Sequence, residues 1–410
     1  MPLLGPIYLG TILKQRGHRV RIYNENFCRP DYSRLEADLI GISILSSTSR
    51  RGYEIARLFP REKVIFGGVH ASLLPREALP FCRQVVTGEA ETVIADVVEG
   101  RRTEPIVEGV AVEDLDSLPI PDFSLVCGLP RSMRVQPVST SRGCPSDCSF
   151  CSVTRVFGQK YRFRSAQSIV KELEKSIRGE IFFCDDNFCS DRKRLLVLMR
   201  SIPEMKKRFL WTCQARCEAG RDEELVKSMR RAGCRVVCLG LESVSDATLK
   251  IYNKRQSVEG IISAIKGFHR HGIKIHGMFV LGSEHDDAET ANATLDFSLR
   301  HGIDTIQVSA LTPFPGTRVY EDLTAKKAIF SRDWSLYDGL HVVFSPERIS
   351  PLKLQQDIIK IHSAFYSLGS AFSLFLRFHI RDALFRLMGR GMVKEWYSVN
   401  RGLPWLSRSV

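Results

Sequence analysis

Six short runs of β-branched and apolar residues recur through the middle of the chain, and helical periodicity follows each one. They start at residues 138, 180, 208, 234, 274 and 304. The mean spacing of about 33 residues is close to the ~31 residues of one unit in an eight-fold βα barrel. Because strands that alternate with helices run parallel, the pattern predicts a partial, open (β/α)6 barrel over residues 138–330.

A separate α/β alternation occupies residues 1–100. It predicts a helix at 7–15 and strands at 18–23, 37–45, 63–66 and 84–87, which is typical of a doubly wound, Rossmann-like domain. The chain opens on the helix that would normally follow a first, central strand. Either the protein starts upstream, or this sheet lacks that strand.

The two flanking segments have different character. Residues 101–137 hold five prolines and weak periodicity, which predicts a linker. Residues 331–410 predict a helical extension in which aromatic and basic residues alternate. This extension is interpreted either as a cap on the open barrel or as a basic amphipathic surface that docks on anionic lipid.

Charge and cysteine content limit the partners and the compartment. Lys and Arg number 59 against 46 Asp and Glu, which favours an anionic partner. No secretory signal and no apolar tract of the ~20 residues that a membrane span needs are evident. We therefore expect a cytoplasmic protein, soluble or peripheral at the membrane, whose 12 cysteines serve metal or redox chemistry more than disulfides.

Three cysteines, Cys144, Cys148 and Cys151, stand in a C-x3-C-x2-C array just after the first predicted barrel strand. Chemistry in βα barrels is carried at this end of the strands. Structural zinc needs four ligands, and no histidine lies between His70 and His269. An iron–sulfur cluster with one corner left for a small molecule fits the three thiolates better.

This array resembles the hallmark of the radical SAM superfamily, whose last cysteine follows an aromatic residue, here Phe150. The resemblance covers roughly residues 138–316. It implies a 4Fe-4S cluster on the three cysteines, and S-adenosylmethionine (SAM) bound to the fourth iron. One electron then cleaves SAM to give a 5'-deoxyadenosyl radical, which abstracts hydrogen from the substrate.

The resemblance also implies SAM contacts at the strand ends. Asp186 would hold the amino end, Arg216 the carboxylate and Glu242 the ribose, while Gly277 and Gly282 would let the backbone approach adenine. The alternatives are a helix cap or turn for Asp186, a surface arginine for Arg216 and a helix cap for Glu242.

The N-terminal domain resembles the cobalamin (B12)-binding-domain subgroup of this superfamily through short motifs around Gly67, Gly68 and Gly88. The subgroup includes methyltransferases, an anaerobic cyclase and hopanoid methylases. The chain lacks a D-x-H-x-x-G motif, so a bound cobalt would have no protein histidine ligand. Cobalamin is therefore a possible cofactor. We expect the N-terminal domain to be a scaffold with a weakened or absent corrin site.

These features predict a radical SAM enzyme that modifies an unactivated carbon by methylation, cyclisation or C–C bond formation, in a small-molecule or lipid-like substrate. A reductant such as flavodoxin or ferredoxin is the expected partner, and nucleic acid is not. The alternatives are a tRNA-modifying, methylthiotransferase-like enzyme and a non-catalytic iron–sulfur carrier or scaffold. The remaining cysteines could bind a second iron–sulfur cluster, although cysteines of this kind more commonly pack in the core as small apolar side chains.

Overall fold

The N-terminal domain is a four-stranded parallel sheet. The computed structural model describes residues 3–130, 134–176, 179–376 and 378–400. The sheet has the order β1-β2-β3-β4. Its strands are β1 (Ile40–Ser43), β2 (Val64–Gly67), β3 (Gln84–Gly88) and β4 (Ile106–Gly109).

Two predictions for this domain need correction. Residues 18–23 form no strand, and their one ladder contact is a bridge between Ile22 and Val126. Within the described residues β1 pairs only with β2, so no central strand is present for residues 18–23 to join. The predicted linker also contains β4, which pairs with β3.

The second sheet has six parallel strands in the order β12-β11-β10-β9-β8-β5, which confirms the partial barrel. The barrel strands are β5 (Val135–Val138), β8 (Glu180–Phe183), β9 (Leu210–Ala215), β10 (Cys234–Glu242), β11 (Lys274–Leu281) and β12 (Thr305–Ala310). A short antiparallel pair, β6 (Ser141–Arg142) and β7 (Arg162–Phe163), stands beside them.

The first barrel strand lies earlier than predicted, at Val135–Val138 instead of 138–143, and so begins inside the predicted linker. Pro137 prevented this strand from being predicted, because proline is rare inside sheets. Proline is tolerated on edge strands, where the missing N–H is not needed, and β5 is the last strand of this sheet. Part of the predicted strand instead forms β6.

Helices cover the outer faces of both sheets. The N-terminal helices are α1 (Leu4–Gln15), α2 (Ser49–Ala56), α3 (Val69–Leu73), α4 (Pro75–Ala78) and α5 (Ile94–Val98). The barrel helices are α6 (Val153–Phe157), α7 (Ala166–Lys175), α8 (Arg192–Ser201), α9 (Glu223–Arg231), α10 (Asp246–Ile251), α11 (Val258–Arg270), α12 (Thr290–Arg300) and α13 (Arg318–Ala325).

The predicted helical extension is confirmed from residue 351 to residue 400 as α14 (Pro351–Phe365), α15 (Leu368–Leu376) and α16 (Ile380–Asn400), whereas residues 331–350 contain only a 3-10 turn at Trp334–Leu336 and no α-helix. Residues 401–410 of that prediction lie outside the described residues. No helix in the described part of the chain is long and apolar enough to cross a membrane.

Helix α14 covers the open edge of the barrel, where β12 has no further strand. His362 Nε2 accepts a hydrogen bond from the Val308 amide at 3.1 Å. The Tyr366 hydroxyl accepts one from the Ile306 amide at 2.9 Å and donates one to the Ile306 carbonyl at 2.7 Å. These side chains satisfy backbone groups that would otherwise be an exposed sheet edge.

Burial alternates along the barrel strands and separates their two faces. In β11 the residues Ile275, Phe279 and Leu281 are buried in the core beneath the outer helices, whereas His276 and Met278 between them are only half-buried. The half-buried side chains line the concave face of the sheet, called the lumen below. The carboxyl ends of the barrel strands converge at the mouth of the barrel.

Candidate active site

The cysteine loop joins β6 to α6 and is held against the barrel mouth by backbone contacts. The Asp147 carbonyl accepts hydrogen bonds from Asn253 Nδ2 at 2.8 Å and Arg318 Nη2 at 2.6 Å. The Ser149 amide donates to the Tyr252 carbonyl at 3.1 Å. Residues that follow two distant barrel strands therefore determine where the loop lies.

Cys144, Cys148 and Cys151 are all half-buried on this loop, and the Cys151 amide donates to the Cys148 carbonyl at 3.2 Å. Burial raises the pKa of Cys148, and raises that of Cys151 to about 12. Thiols in such surroundings become thiolates only when a cation compensates the charge, as the irons of a cluster do.

The donor set fits a cluster better than a single ion. No three His, Cys, Asp or Glu side chains among the described residues are grouped to hold one metal ion. Zinc would require its ligands to converge on one point, whereas the thiolates of a 4Fe-4S cluster each bind a different iron. We conclude that the three cysteines suit the cluster.

Two further predicted residues lie beside the loop. Arg216 Nη1 is 3.9 Å from Cys148 Sγ, and its guanidinium also contacts Glu218 at 3.0 Å and the Lys254 carbonyl. Its side chain is only 14% exposed, so Arg216 is not a surface arginine. Phe150 packs edge-to-face on Tyr252, with ring centroids 5.1 Å apart.

Glu242 ends β10 in the mouth and forms a buried ion pair that the sequence did not indicate. Its carboxylate is 2.5 Å from Lys254 Nζ, and both side chains are less than 10% exposed. Burial lowers the pKa of Lys254, but the charge of Glu242, the nearby Cys148 and the hydrogen bond to Glu242 together outweigh burial and raise it. Gly240 leaves the space for this pair, since a Cβ there would lie 2.5 Å from Glu242 Oε1.

Two adjacent aspartates follow β8 and have different surroundings. Asp185 is buried and accepts hydrogen bonds from the Thr140 amide at 2.9 Å and the Ser141 hydroxyl at 2.6 Å, which anchors the start of the cysteine loop. The predicted residue Asp186 remains accessible in the mouth. Desolvation and the neighbouring Asp185 raise the pKa of Asp186 to about 6.

The packing and backbone conformation of β11 explain why glycine occupies the two positions that were predicted to contact adenine. Gly277 is on the outer face of β11, where a Cβ would approach Leu241 and Ile303 within about 3.1 Å. Packing against these side chains is sufficient reason for a glycine here, and the approach to adenine stays a prediction. Gly282 ends the strand with φ +112°, and its amide donates to Asp286 at 2.7 Å. Only glycine adopts that conformation freely.

The N-terminal domain meets the barrel through a buried network of ion pairs. Glu89, which follows β3, contacts Arg142 at 2.8 Å and also pairs with Arg162. Arg142 additionally pairs with Glu91 at 2.5 Å. Since Arg142 is two residues before Cys144, this network, called the domain clamp below, connects the N-terminal sheet to the cysteine loop.

The predicted glycine rim lies at the carboxyl end of the N-terminal strands. A Cβ at Gly68 would be 2.7 Å from the Ile44 carbonyl, and a Cβ at Gly88 would be 2.9 Å from that of Gly109. Both residues have positive φ angles. Gly67 is less crowded, its nearest contact being the Val86 carbonyl at 3.6 Å. The backbone of the domain itself therefore requires two of these three glycines.

Other cysteines lie away from the loop. Cys213 and Cys234 are fully buried beneath the outer helices. A β-bulge between Cys234 and Val236 moves Cys238 to the opposite, lumen face, so Cys234 and Cys238 do not share a face. Their positions match the commoner role of buried cysteine as a small apolar side chain.

Taken together, an open parallel barrel with three cysteines on the loop at its mouth defines an iron–sulfur enzyme of the βα-barrel class. Residues 138–297 match the Radical SAM superfamily. This part of the chain is a radical SAM domain, and the cofactors of such a domain are a 4Fe-4S cluster and SAM.

Two relatives similar in sequence over most of the chain support the assignment. The chain is 28% identical over 352 residues to bacteriochlorophyllide d C-12(1)-methyltransferase of Chlorobaculum tepidum, covering 82% of this chain and 75% of the relative. It is 24% identical over 422 residues to anaerobic magnesium-protoporphyrin IX monomethyl ester cyclase of Cereibacter sphaeroides, covering 92% and 67%.

Solved structures show the same fold. The radical SAM methyltransferase TsrM of Kitasatospora setae, solved with tryptophan and a SAM analogue, superimposes with a TM-score of 0.67 at 19% identity, covering 79% of this chain and 74% of TsrM. The cobalamin-dependent radical SAM enzyme OxsB gives 0.63 at 17% identity, covering 90% and 65%. The chain is thus a radical SAM enzyme with a B12-binding-type domain fold before its barrel.

Proposed function

We propose that this enzyme modifies an unactivated carbon in a large, mainly apolar ring compound held in the lumen. The lumen face carries this proposal. Phe182, Val236 and Met278 supply apolar surface there, and Gln214, Cys238, His276 and Thr305 are register partners that form one polar row across it. A mostly apolar cavity with a few polar groups suits such a ligand.

The names of the relatives support the same substrate class. They act on bacteriochlorophyllide, on a magnesium-protoporphyrin ester and, in more distant cases, on hopanoids. All are large apolar ring systems. Lys274, at the start of β11, shares the face of His276 and Met278 but is paired with Asp382. The lumen residues named above are uncharged, so the lumen does not favour an RNA substrate, which would need phosphate-binding cations.

The residues around the mouth have separate tasks. Cys144, Cys148 and Cys151 would hold the cluster, and when it and SAM are bound, one electron releases a carbon radical from SAM. Arg216 would pair with the SAM carboxylate, and the contacts of its guanidinium with Cys148 and the Lys254 carbonyl support this role. Glu242, fixed by Lys254, would accept hydrogen bonds from the ribose. Asp186 would hold the amino end.

We further propose that the N-terminal domain is a scaffold with a weakened or absent corrin site. Its rim glycines Gly68 and Gly88 are explained by backbone packing. His70 is fully buried between Ser46 and Glu77, at 3.2 and 3.4 Å. A histidine so enclosed is not placed to bind cobalt.

The expected cellular setting is the cytoplasm, with flavodoxin or ferredoxin as electron donor and peripheral contact with a membrane. The cluster needs a reducing compartment. A tetrapyrrole or hopanoid ring also partitions into lipid, which makes membrane contact useful for substrate delivery.

One anaerobic experiment tests the reaction class. Protein reconstituted with iron and sulfide receives SAM, dithionite and either a bacteriochlorophyllide or a hopanoid, and 5'-deoxyadenosine is quantified by mass spectrometry. We expect turnover that depends on the ring compound, with a substrate mass change that names the subtype. Absence of 5'-deoxyadenosine from protein with a full cluster would overturn the proposal.

A second experiment tests the scaffold proposal. The protein is reconstituted with hydroxocobalamin, desalted and examined by visible absorbance. We expect little retained corrinoid. Stoichiometric retention would refute the scaffold and favour cobalamin-dependent methyl transfer.

A further inference from the structure

Helices α15 and α16 form a hairpin that exposes an unusual amount of apolar surface. Of the 22 large apolar side chains exposed in the described chain, 12 lie between residues 368 and 399. We call this set the apolar face: Leu368, Phe372, Phe375, Leu376, Phe378, Ile380, Leu384, Phe385, Leu387, Met388, Met392 and Val399. Contiguous apolar surface of this kind normally marks an interaction site.

The orientation of α16 is determined by polar contacts on its inward side. The buried Arg386 donates to the Phe365 carbonyl at 2.8 Å, and its guanidinium lies 3.3 Å from the Phe365 ring centroid. Asp382 pairs with Lys274 on β11, and Asn400 contacts His341 at 3.0 Å. Asp382, Arg386 and Asn400 therefore lie on the side of α16 that faces the rest of the protein, and the apolar face points outward.

The helical spacing makes the apolar face continuous. Ile380, Leu384, Met388 and Met392 follow one another at four-residue intervals, so they form a stripe on one side of α16. Phe378, in the turn between the helices, is 89% exposed. A surface helix of a globular protein would place such a stripe toward the core, so this one is oriented for a partner.

The charges around the apolar face indicate which partner. Arg381 and Lys394 are exposed and have no ion-pair partner in the described part of the chain. Asp382 is already paired with Lys274, and Glu395 is the exposed acid of the described hairpin. A two-fold contact between copies would bring these cations together. An anionic bilayer would instead attract them, and the flexible cations can extend to its headgroups.

We propose that the α15–α16 hairpin docks flat on an anionic phospholipid bilayer, with Phe378 inserted at its tip and Arg381 and Lys394 among the headgroups. No described helix can cross a membrane, so the hairpin lies in the interface, as basic amphipathic helices do. This docking does not depend on which carbon the enzyme modifies.

Flotation of the full-length, cluster-loaded protein with vesicles tests the docking. The vesicles contain either phosphatidylcholine alone or phosphatidylcholine with phosphatidylglycerol. We expect binding to the anionic vesicles that weakens with added salt. The triple variant Phe372→Ser, Phe378→Ser and Leu384→Ser should bind them about tenfold more weakly, because it removes large apolar side chains from the lipid contact.

A matched triple variant controls for the loss of apolar surface in general. Leu58→Ser, Val197→Ser and Leu299→Ser remove side chains that are 57%, 55% and 48% exposed elsewhere. This control should bind anionic vesicles like the parent. Iron content and circular dichroism check that both variants fold.

Three results would overturn the docking proposal. One is no vesicle binding by folded protein, and another is equal loss of binding in both triple variants. The third is a dimer, seen by light scattering without lipid, that only the hairpin variant disrupts. That result would assign the apolar face to a second copy.

Discussion

At the level of single residues, a buried ion pair lies at the centre of the barrel mouth. It is linked to the cysteine loop through Arg216. Lys254 pairs with Glu242, and the Lys254 carbonyl accepts a hydrogen bond from Arg216, which in turn reaches Cys148. Replacing one partner of a buried pair leaves the other charge uncompensated. The pair therefore stabilises the part of the mouth where we propose that SAM binds.

We predict that Cys148→Ala abolishes cluster assembly and SAM cleavage, as should Cys144→Ala and Cys151→Ala. Each variant removes one of three thiolates, and a cluster held by two is poorly retained. Iron and sulfide analysis with 5'-deoxyadenosine quantification measures this. Cys28→Ala and Cys82→Ala, outside the loop, should keep iron and activity. Full iron content in a loop variant would contradict the assignment.

Lys254→Met should lower the free energy of unfolding by about 3 kcal/mol, because it leaves the Glu242 carboxylate buried without a cation. It should also weaken SAM binding, which isothermal titration calorimetry measures. The double variant Lys254→Met with Glu242→Gln removes both charges and should recover most of the stability but not the affinity. If the double variant recovers both, the pair has no role in binding SAM.

At the level of elements, the domain clamp couples the end of β3 to the β6–β7 pair that frames the cysteine loop. Glu89 and the Arg162 side chain are each only 3% exposed. Although burial raises the pKa of Glu89, its hydrogen bond to Arg162, another from the Val112 amide and the nearby Arg142 outweigh that effect and lower it. Glu89 is therefore ionised at neutral pH.

Glu89→Gln should destabilise the protein by about 3 kcal/mol, since Arg162 would lose its buried counter-charge. We also expect the cysteine loop to lose protection from hydrogen–deuterium exchange, because Arg142 lies at its start. The exposed Glu62→Gln is the matched control. Unchanged exchange in the loop would show that the clamp stabilises the domains without positioning the cluster.

At the level of the whole molecule, a histidine whose pKa is raised in the folded protein connects the end of α16 to the segment before α14. Burial lowers the pKa of His341, but its hydrogen bond to Asp338 and that carboxylate's charge outweigh burial and raise it. Nδ1 is 3.0 Å from Asp338, and Nε2 is 3.0 Å from Asn400 on α16. Protonated His341 thus connects the segment before α14 to the end of α16.

A raised folded-state pKa means that protonation stabilises the fold. This contribution is complete below the unfolded histidine pKa of about 6.5 and is lost as pH rises through the higher folded value. We therefore expect the free energy of unfolding of the holoenzyme to fall across that window. His341→Gln should flatten the profile. An unchanged profile in His341→Gln would refute this.

The sequence alone determined the features that depend on local order. Strand–helix alternation specified five of six barrel strands to within a few residues, because each buried strand is a short apolar run with clear ends. The spacing of Cys144, Cys148 and Cys151 specified one loop, since eight residues cannot place these thiols far apart. The helical extension likewise followed from its periodicity.

Only the tertiary structure decided which long-range partners these elements meet. Lys254 and Glu242 are 12 positions apart and Arg162 and Glu89 are 73 apart, and no local pattern predicts such pairs. Gly277 faces outward because strand parity assigns it to the packed side, and residues 18–23 fail as a strand because no central strand is present beside β1. Hydrophobic periodicity reports the face and type of an element, but sheet pairing and buried charge depend on the neighbours that the fold supplies.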